Sequence, residues 1–371
     1  MNINNFKLIA LFLLGLHQGF SQTTLQNTQE LSLVFVGDFM GHLDQIKAAY
    51  NSKNNTYDYN ECFKYVKPIL SDADITIGNI EVTLGIKPYS GYPQFSSPES
   101  YASAIKNAGV DVLMTANNHS CDKRKKGVEK TIHVLDSLKI SHTGTFINKN
   151  AKSLKSPLIL TKNGIKLAFL NYTYGTNGIL PTYPNIVNYL DKDIIAKDVE
   201  KAKLLNPDEI IVYVHWGNQY ENLPSKKQKE WLAYFKSLGI KIVIGSHPHV
   251  LQPMILENNN LVVYSLGNFV SHQRTFPRDG GAIFKLNLIK EQNEVKIKNA
   301  SYKLTWVYEP IVNGQKKYFI LPVEDFENNS SNYLDQKNYN KMMRFTNHAR
   351  SLLNKENLGI TESKKKHYCN H

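Results

Sequence analysis

The sequence predicts an α/β protein in which strands and helices form layers around a large core. Between residues 31 and 270, short apolar runs rich in β-branched residues alternate with amphipathic stretches of helical periodicity. Several of these runs end in loops that carry Asp, Glu, Asn or His. The 371 residues are enough for one large domain or for two smaller ones.

The first 21 residues have the composition of an export signal. Lys7 precedes the apolar run of residues 8–16, and Gly19 and Ser21 supply small side chains near the expected cleavage point. The run is short for a permanent membrane span, and no cysteine near its end offers a lipid attachment site. We therefore expect residues 1–21 to be removed and the mature protein to be secreted, either periplasmic or at the cell surface.

The polar residues at the strand ends are the strongest functional signal. Ligands collect at the carboxyl ends of strands in open α/β sheets, so these loops are expected to converge on one site. The five runs, each with the polar residues that follow it, are 31–36 with Asp38, 73–77 with Asn79 and Glu81, 110–115 with Asn118, His119 and Asp122, 209–214 with His215, and 240–244 with His247 and His249.

The remaining elements follow from periodicity and turn residues. Residues 175–191 are rich in Gly, Pro, Tyr and Asn and predict a long irregular loop. The alternating stretches 282–289 and 294–306 predict antiparallel strands that finish the second of two sheets. Helices are predicted at 60–70, 98–108, 126–138, 194–205 and 226–238. The expected division of the chain is a signal at 1–21, a core at 30–272, strands completing the core at 273–325, and a helical segment with a basic tail at 326–371.

The formal net charge of +12 arises from 44 Lys and Arg residues against 32 Asp and Glu residues. It favours an anionic partner, such as a carboxylate polymer, a phosphorylated wall polymer or a membrane surface. The alternative is a generally basic composition without a dedicated partner. Aromatic residues are not interleaved with basic clusters, so we predict no nucleic-acid binding.

The cysteines give no zinc-type pair and no disulfide framework. A bridge between Cys62 and Cys121 is possible by count and would leave Cys369 unpaired. Cys121 lies in the loop that carries Asn118, where it is either a metal ligand or a small packed residue.

The donor set indicates metal chemistry. One Asp, one Glu, one Asn and several His supply mixed oxygen and nitrogen ligands, which suit one or two divalent ions of Mn, Fe or Zn. Two metals that share a carboxylate activate water for attack on phosphorus. A nearby imidazole without a metal can protonate the leaving oxygen. The simpler alternative is a set of hydrogen-bonded loop histidines.

Six motifs, in this order, resemble those of the bacterial capsule-synthesis (CapA, poly-γ-glutamate) family, a branch of the calcineurin-like metallophosphoesterases. The resemblance implies a four-layer α/β/β/α sandwich of the metallophosphoesterase type. The motifs are Gly-Asp at 37–38, Gly-Asn-Ile-Glu at 78–81, Ala-Asn-Asn-His at 116–119 with Asp122, His-Trp-Gly at 215–217, Gly-Ser-His-Pro-His at 245–249, and Tyr-Ser-Leu-Gly-Asn-Phe at 264–269.

The resemblance also implies a role for each site residue. Asp38 and His249 would hold the first metal, and Glu81 would bridge the two metals. Asn118, His215 and His247 would hold the second metal. The catalytic pair would be His119, as the acid for the leaving group, and Asp122, which either orients His119 or caps the following helix.

Three further residues are predicted to contact substrate, each with a structural alternative. Asn79 touches substrate or fixes its loop, Trp216 lines the pocket or packs, and Asn268 contacts substrate or pins the loop beside the metals. Tyr220 and Glu221 follow the His215 loop and are additional candidates. The loop tyrosines, which either shape a groove or pack, are Tyr172, Tyr174, Tyr183 and Tyr189.

The sequence departs from the wider superfamily at two points. Asp38 is followed by Phe39 and Met40, so the usual Asp-x-His histidine is missing, and His42 is the available substitute. The bridging position is Glu81 where the superfamily has an aspartate. Both departures predict that the first metal is held less tightly than the second.

The predicted function is an exported metal-dependent hydrolase, a phosphoesterase acting in capsule or envelope polymer synthesis. Its expected partners are an anionic envelope polymer or a phosphorylated intermediate, together with a capsule-synthesis membrane complex. One alternative is a non-catalytic assembly protein that binds an anionic polymer such as poly-γ-glutamate. Another is a hydrolase of γ-glutamyl amides, because a metal-activated water also attacks a carbonyl.

Overall fold

The computed structural model describes residues 28–328 and 333–363. The predicted signal at 1–21 and the basic tail from residue 364 lie outside these ranges. The strands, in chain order, are β1 (Gln29–Phe39), β2 (Tyr50–Asn51), β3 (Thr56–Tyr57), β4 (Ile75–Ile80), β5 (Thr83–Leu84), β6 (Ser96–Ser97), β7 (Val112–Met114), β8 (Ser141–Thr143), β9 (Thr145–Phe146), β10 (Leu158–Lys162), β11 (Ile165–Thr173), β12 (Ile186–Val187), β13 (Glu209–His215), β14 (Ile242–Ser246), β15 (Met254–Glu257), β16 (Asn260–Val263), β17 (Asn268–Val270), β18 (Gly280–Glu291), β19 (Glu294–Tyr308), β20 (Ile311–Val312), β21 (Gln315–Lys316), β22 (Phe319–Pro322) and β23 (Thr361–Glu362).

Four of the five predicted helices are confirmed to within two residues at each end, three short helices were not predicted, and the segment 60–70 differs from the prediction. That segment is a 3₁₀ turn at Asn60–Phe63 followed by a separate short helix, which has Pro68 in its first turn, where a missing N–H is tolerated. The helices are α1 (Leu43–Ala49), α2 (Lys67–Ser71), α3 (Glu99–Asn107), α4 (Arg124–Ser137), α5 (Lys149–Lys155), α6 (Lys192–Leu204), α7 (Lys226–Ser237), α8 (Val323–Phe326) and α9 (Gln336–Glu356).

Two large sheets form the centre of the molecule. The first has the strand order β22-β19-β18-β1-β4-β7-β8, with β17 also paired to β1 and β23 to β19. The second has the order β10-β11-β13-β14-β16-β15. Strands β1, β4, β7 and β8 are parallel to one another, as are β11, β13, β14 and β16. The polar loops named in the sequence analysis lie at the carboxyl ends of five of these strands, namely β1, β4, β7, β13 and β14.

The long strands β18 and β19 join the first sheet, which corrects the prediction that they finish the second. A two-residue turn at Gln292 and Asn293, both with positive φ, closes them into a hairpin. Strand β18 then pairs antiparallel with β1 from Gln29 to Val36. Alternation in the sequence identified the strands but not the edge to which they pair.

Strand alternation divides most of the apolar residues into three large cores, and these define four layers. Leu33 and Phe35 of β1 point between the sheets and meet Ile211 and Tyr213 of β13. The alternate residues of β1 point outward toward α3, and those of β13 point outward toward α7. The α/β/β/α sandwich expected from the resemblance is therefore confirmed.

The C-terminal segment completes the core between the sheets. Helix α9 begins at Asp335, whose side chain accepts a hydrogen bond from the Asn338 amide. Its buried face packs into the core between the sheets and comprises Met342, Phe345, Ala349 and Leu353. Among the described residues, no helix has the length and apolar character needed to cross a bilayer.

The two described cysteines are buried free thiols, so Cys62 and Cys121 form no bridge. Cys121 packs against Val128, Ile132 and Val187, and burial raises the pKa of its thiol to about 12. This places it as a packed residue, because a metal ligand must be a thiolate.

Candidate metal centre

The predicted ligands lie together at the carboxyl edge of the two sheets. Asp38 is near the end of β1, Glu81 directly follows β4, and His215 is the last residue of β13. The other side chains come from the loops after β7 and β14. All are buried, and they are Asp38, Glu81, Asn118, His119, Asp122, His215, His247 and His249.

Asp38, Glu81 and His249 form one group of candidate ligands, here called the first trio. One donor atom from each lies within 4.8 Å of the other two. His249 Nδ1 is 3.4 Å from Asp38 Oδ2, and His249 Nε2 is 3.7 Å from Glu81 Oε1.

Glu81, His215 and His247 form the second trio, which meets the same 4.8 Å criterion. His215 Nε2 lies 3.5 Å from Glu81 Oε1 and 3.1 Å from His247 Nδ1. Asn118 adds a fourth donor, because its Oδ1 is 2.9 Å from the same His215 nitrogen. The Asn118 Nδ2 group donates to Asn177 Oδ1, which fixes the amide with its oxygen toward His215.

Glu81 belongs to both trios and has no hydrogen-bond partner of its own. Both carboxylate oxygens are buried and unpaired in the described part of the chain. A buried polar group without a partner is costly, and a buried carboxylate is normally paired or bound to a metal. The residues present therefore fit divalent cations, with Glu81 in the position of a shared ligand.

Asn268 holds His249 in the orientation that a first-trio ligand needs. The Asn268 Nδ2 group donates to the Arg278 carbonyl at 2.9 Å, so its Oδ1 faces His249 Nδ1 at 3.0 Å. An amide oxygen only accepts, so in the neutral imidazole His249 Nδ1 carries the proton and Nε2 has its lone pair toward Glu81.

Asn79 supports ligands in the same way. Its Nδ2 group donates to Asp38 Oδ1 at 2.8 Å, and its Oδ1 accepts from Asn117 Nδ2 at 3.2 Å. For both Asn79 and Asn268 the structure supports loop fixing over the predicted substrate contact, because each amide is buried and fully engaged.

The loop after β14 carries backbone strain at its two histidines. His247 has a φ of 100° and His249 a φ of 57°, both in the left-handed region that side chains other than glycine rarely adopt. Such conformations persist only where the surrounding structure enforces them, and they cluster at functional sites. This backbone conformation places the His247 ring in the second trio and the His249 ring in the first.

Charge and burial act differently on the two trios. Burial works to raise the pKa of Asp38, but the hydrogen bond and charge of His249 outweigh it and lower that pKa. Burial works to lower the pKa of His249, whereas Glu81 and Asp38 bring it up to about 8. Burial, assisted by His215, holds the pKa of His247 well below its usual value.

His119 and Asp122 form a buried pair beside the second trio. His119 Nδ1 is 2.7 Å from Asp122 Oδ2, which also accepts the Phe95 amide at 2.6 Å. The Phe95 ring meets the His119 ring edge-on at 4.6 Å. Helix α4 begins at Arg124 without a side-chain cap, so Asp122 orients His119 and does not cap the helix.

Trp216 lies away from the site, which corrects its predicted contact with substrate. Its Nε1 group donates to the Tyr264 carbonyl at 3.0 Å, and its ring packs with Phe235 of α7. His215 and Trp216 are neighbours at the end of a strand, so their side chains point to opposite faces of the sheet.

His42, the proposed substitute for the missing histidine, lies outside both trios. Its Nδ1 accepts from the His272 amide at 3.2 Å, and its ring packs edge-on against Phe95. Burial lowers the pKa of His42 to about 4.

The loop tyrosines fall into different environments. Tyr172 is buried in the outer core of the second sheet, and Tyr183 is exposed. Tyr189 hydrogen-bonds Thr176. Tyr174 contacts the site, with its ring centre 4.6 Å from that of His247. It directly follows β11, so the strand-end rule that identified the ligands also applies to it.

A second aromatic contact lies over the first trio. Tyr220 stacks on His249 with 6.2 Å between ring centres, and the Arg278 guanidinium covers the Tyr220 ring at 3.5 Å. Glu221 instead turns to the surface, where it accepts from Asn218 Nδ2. Sequence reasoning missed Arg278, because nothing in its local sequence points to a strand end.

Comparison with known proteins identifies the family to which the chain belongs. The family model described as "Bacterial capsule synthesis protein PGA_cap" matches residues 32–273. The capsule biosynthesis protein CapA of Bacillus anthracis is 30% identical over 262 residues, which cover 67% of this chain and 61% of that protein. The PGA biosynthesis protein CapA of Bacillus subtilis (strain 168) is 27% identical over 263 residues, covering 66% and 64%. The matched region thus spans less than two thirds of either relative's length.

Two solved structures illustrate a partial likeness. A putative 5′-nucleotidase from Staphylococcus aureus is 12% identical with a TM-score of 0.47, covering 86% of this chain and 58% of that one. The calcineurin-like phosphoesterase YfkN from Bacillus subtilis is 13% identical with a TM-score of 0.45, covering 87% and 98%. The match to the family model covers well over half of the chain, and the chain therefore belongs to the bacterial capsule synthesis family PGA_cap.

Proposed function

We propose that this chain is an exported, metal-dependent hydrolase that cleaves a phosphoester during the synthesis of a capsule or envelope polymer. The observation that carries the proposal is Glu81, a buried carboxylate that is shared by two ligand trios and has no hydrogen-bond partner among the described residues. A purely structural site would satisfy such a group with protein hydrogen bonds.

The donors divide between two cations of Mn, Fe or Zn. Asp38, Glu81 and His249 would hold the first, and Glu81, Asn118, His215 and His247 would hold the second. When bound, such ions act as Lewis acids and make water acidic enough to attack phosphorus at neutral pH.

The protein's own part in the reaction centres on His119. Its Nδ1 donates to Asp122, so Nε2 is the atom that gives a proton to the leaving oxygen. Asp122 is itself fixed by the Phe95 amide, which prevents the imidazole from rotating away from the reacting group. Tyr174 covers the second trio and limits access of bulk water to it.

The setting of the reaction is also part of the proposal. The apolar run at residues 8–16 supports export, and the charge of +12 supports an anionic polymer or a phosphorylated intermediate as partner. The names of the two CapA relatives concern capsule and PGA biosynthesis, which supports a place beside a capsule-synthesis complex at the membrane.

The first test is elemental analysis of the purified mature protein beside an Asp38→Ala/His247→Ala double variant. We expect one or two equivalents of Mn, Fe or Zn in the wild type and none in the variant. The loaded protein is then assayed with phosphomonoesters, phosphodiesters and γ-glutamyl amides. Cleavage of the amides alone would replace phosphorus chemistry with carbonyl chemistry. Absence of metal, even after reconstitution, would contradict the proposal and favour a non-catalytic polymer-binding protein.

His119→Ala tests the acid separately from the metals. Because His119 belongs to neither trio, the variant should keep its metal while kcat falls by about 10²- to 10⁴-fold. The fall in kcat should also depend on the substrate. An ester with a very acidic leaving group needs little protonation, so its kcat should fall less in the variant. An unchanged kcat with a poor leaving group would remove His119 from the mechanism.

A further inference from the structure

We infer that Arg278 recognises a second anionic group, a carboxylate or phosphate, that the substrate carries away from the bond to be cleaved. The inference rests on the proposed metal site and specifies the kind of substrate that this site takes. It is carried by the position of the Arg278 guanidinium, by the absence of a paired carboxylate among the described residues and by the way Tyr220 holds it.

The guanidinium of Arg278 is linked to the first trio through the Tyr220 ring. Its central carbon is 3.5 Å from the centre of the Tyr220 ring, and that ring stacks on His249 at 6.2 Å. The distance between the Arg278 guanidinium carbon and the centre of the His249 ring is therefore at most the sum of these two distances. The Arg278 carbonyl also accepts from Asn268, the residue that orients His249. Two independent contacts thus tie Arg278 to the first trio.

Arg278 is a charge without a counter-charge in the described part of the chain. No carboxylate there lies within the 4.0 Å that defines an ion pair with it, and its Nε is buried without a hydrogen-bond partner. The neighbouring Arg274 pairs with Glu309, and Arg350 pairs with Glu327 and Glu362. A partly buried guanidinium that lacks such a partner is arranged to receive an anion from outside the protein.

Stacking on Tyr220 explains how the charge is kept in place. A ring face stabilises a guanidinium while leaving its edge N–H groups free for a planar, two-point contact with a carboxylate or phosphate. Tyr220 itself has a φ of 70°, and its amide donates to the Pro248 carbonyl between the two site histidines. The strained backbone at Tyr220 therefore couples the position of Arg278 to the same loop that carries His247 and His249.

The test compares ligands that differ only in a second anionic group. Calorimetry on the manganese-loaded protein would measure binding of alkylphosphonates and of ω-carboxyalkylphosphonates with three to six methylenes, matched in length. The phosphonate serves as the metal-binding end in both series. We expect at least one carboxylated member to bind wild type about tenfold more tightly than its uncharged counterpart, as a charge-assisted hydrogen bond provides.

The variants assign that preference to Arg278. Arg278→Ala should abolish it without changing the affinity for the plain alkylphosphonates, and Arg278→Lys should restore it in part. Arg344→Ala is the matched control, because Arg344 also stacks on a ring, that of Phe276, but is exposed on α9. It should leave the preference intact.

The possible failures are distinguishable. If the protein takes up no metal, or binds neither series, the proposed metal site fails and this inference fails with it. If metal loads and the alkylphosphonates bind, but neither a second carboxylate nor a second phosphonate increases affinity, or the increase is equal in Arg278→Ala, only the role of Arg278 is overturned. A parallel series ending in a second phosphonate determines whether the group recognised is a carboxylate or a phosphate.

Discussion

The two trios share Glu81 but differ in how ready they are to receive a metal. In the second trio, burial keeps His247 uncharged, and Asn118 adds a fourth donor whose orientation is already fixed. In the first trio, Asp38 Oδ2 lies 3.4 Å from His249 Nδ1, and the pKa of His249 is raised to about 8. When His249 is protonated, its positive charge stabilises the carboxylates of Asp38 and Glu81, as a metal cation would. The second trio is thus prepared for metal, whereas the first must lose a proton before it can bind one.

The largest effect is expected from Glu81→Gln, which removes the feature common to both trios. The amide keeps the shape but loses the charge that two bound cations would share, so both metal equivalents should be lost. The loss should exceed the 10- to 100-fold that removal of an outer hydrogen-bond partner costs. Elemental analysis and circular dichroism together measure metal content and fold. Retention of two equivalents would refute the shared-ligand role.

The next largest effects are expected from substitutions that remove one histidine from one trio and leave the other trio intact. His247→Ala should remove the second metal and His249→Ala the first, so each variant should retain at most one equivalent. Because the second trio has the additional donor Asn118, the metal left in His249→Ala should be held more tightly than the metal left in His247→Ala. Competition with a chelator ranks the affinities of the two variants for their remaining metal. The reverse ranking would mean that the first trio, and not the second, is the tighter site.

Asn268→Ala should weaken only the first trio. Without the amide oxygen, His249 is free to change tautomer and to turn, and we expect the affinity for the first metal to fall by about 10- to 100-fold. Ser246→Ala is the matched control, because Ser246 Oγ lies 2.9 Å from His215 Nδ1 and supports the second trio instead. Titration of the two metal equivalents in both variants tests this selectivity.

The smallest effect concerns the metal-free protein and its response to pH. The pKa of buried His249 is about 8 in the folded state, against about 6.5 when unfolded. Its contribution to stability is therefore complete below pH 6.5 and disappears as the pH rises through 8. The free energy of unfolding should fall by about 2 kcal/mol from this group over that interval. Urea unfolding with a chelator present measures the change, and His249→Gln should flatten it.

The convergence of the candidate ligands could be predicted from the sequence because their signal is local. Each is a metal-binding residue type placed directly after an apolar run, and parallel strands bring such positions to one edge. The same period-2 alternation that set His215 toward the site also sets Trp216 away from it, so the packing alternative for Trp216 was available from sequence.

The supporting residues could not be predicted, because their roles depend on contacts between distant segments. Asn268 reaches His249 only because β17 pairs with β1 at Asp38, which brings the Asn268 loop beside the histidine loop. The position of the Arg278 side chain depends on Tyr220, whose backbone is left-handed. No sequence pattern around either residue predicts that the two side chains stack. For the same reason, alternation predicted β18 and β19 as strands but assigned them to the wrong sheet.

The hairpin of β18 and β19 also affects how the protein should be shortened for laboratory work. The family match ends at residue 273, before Gly280, yet β18 lies beside β1 near the middle of the first sheet. A truncation at 273 would strip one side of β1 and expose apolar surface that Tyr302, Leu304 and Trp306 now cover. Such a fragment would be expected to aggregate. The segment recognisable by similarity is shorter than the segment that folds, and expression boundaries for this protein belong beyond Glu362.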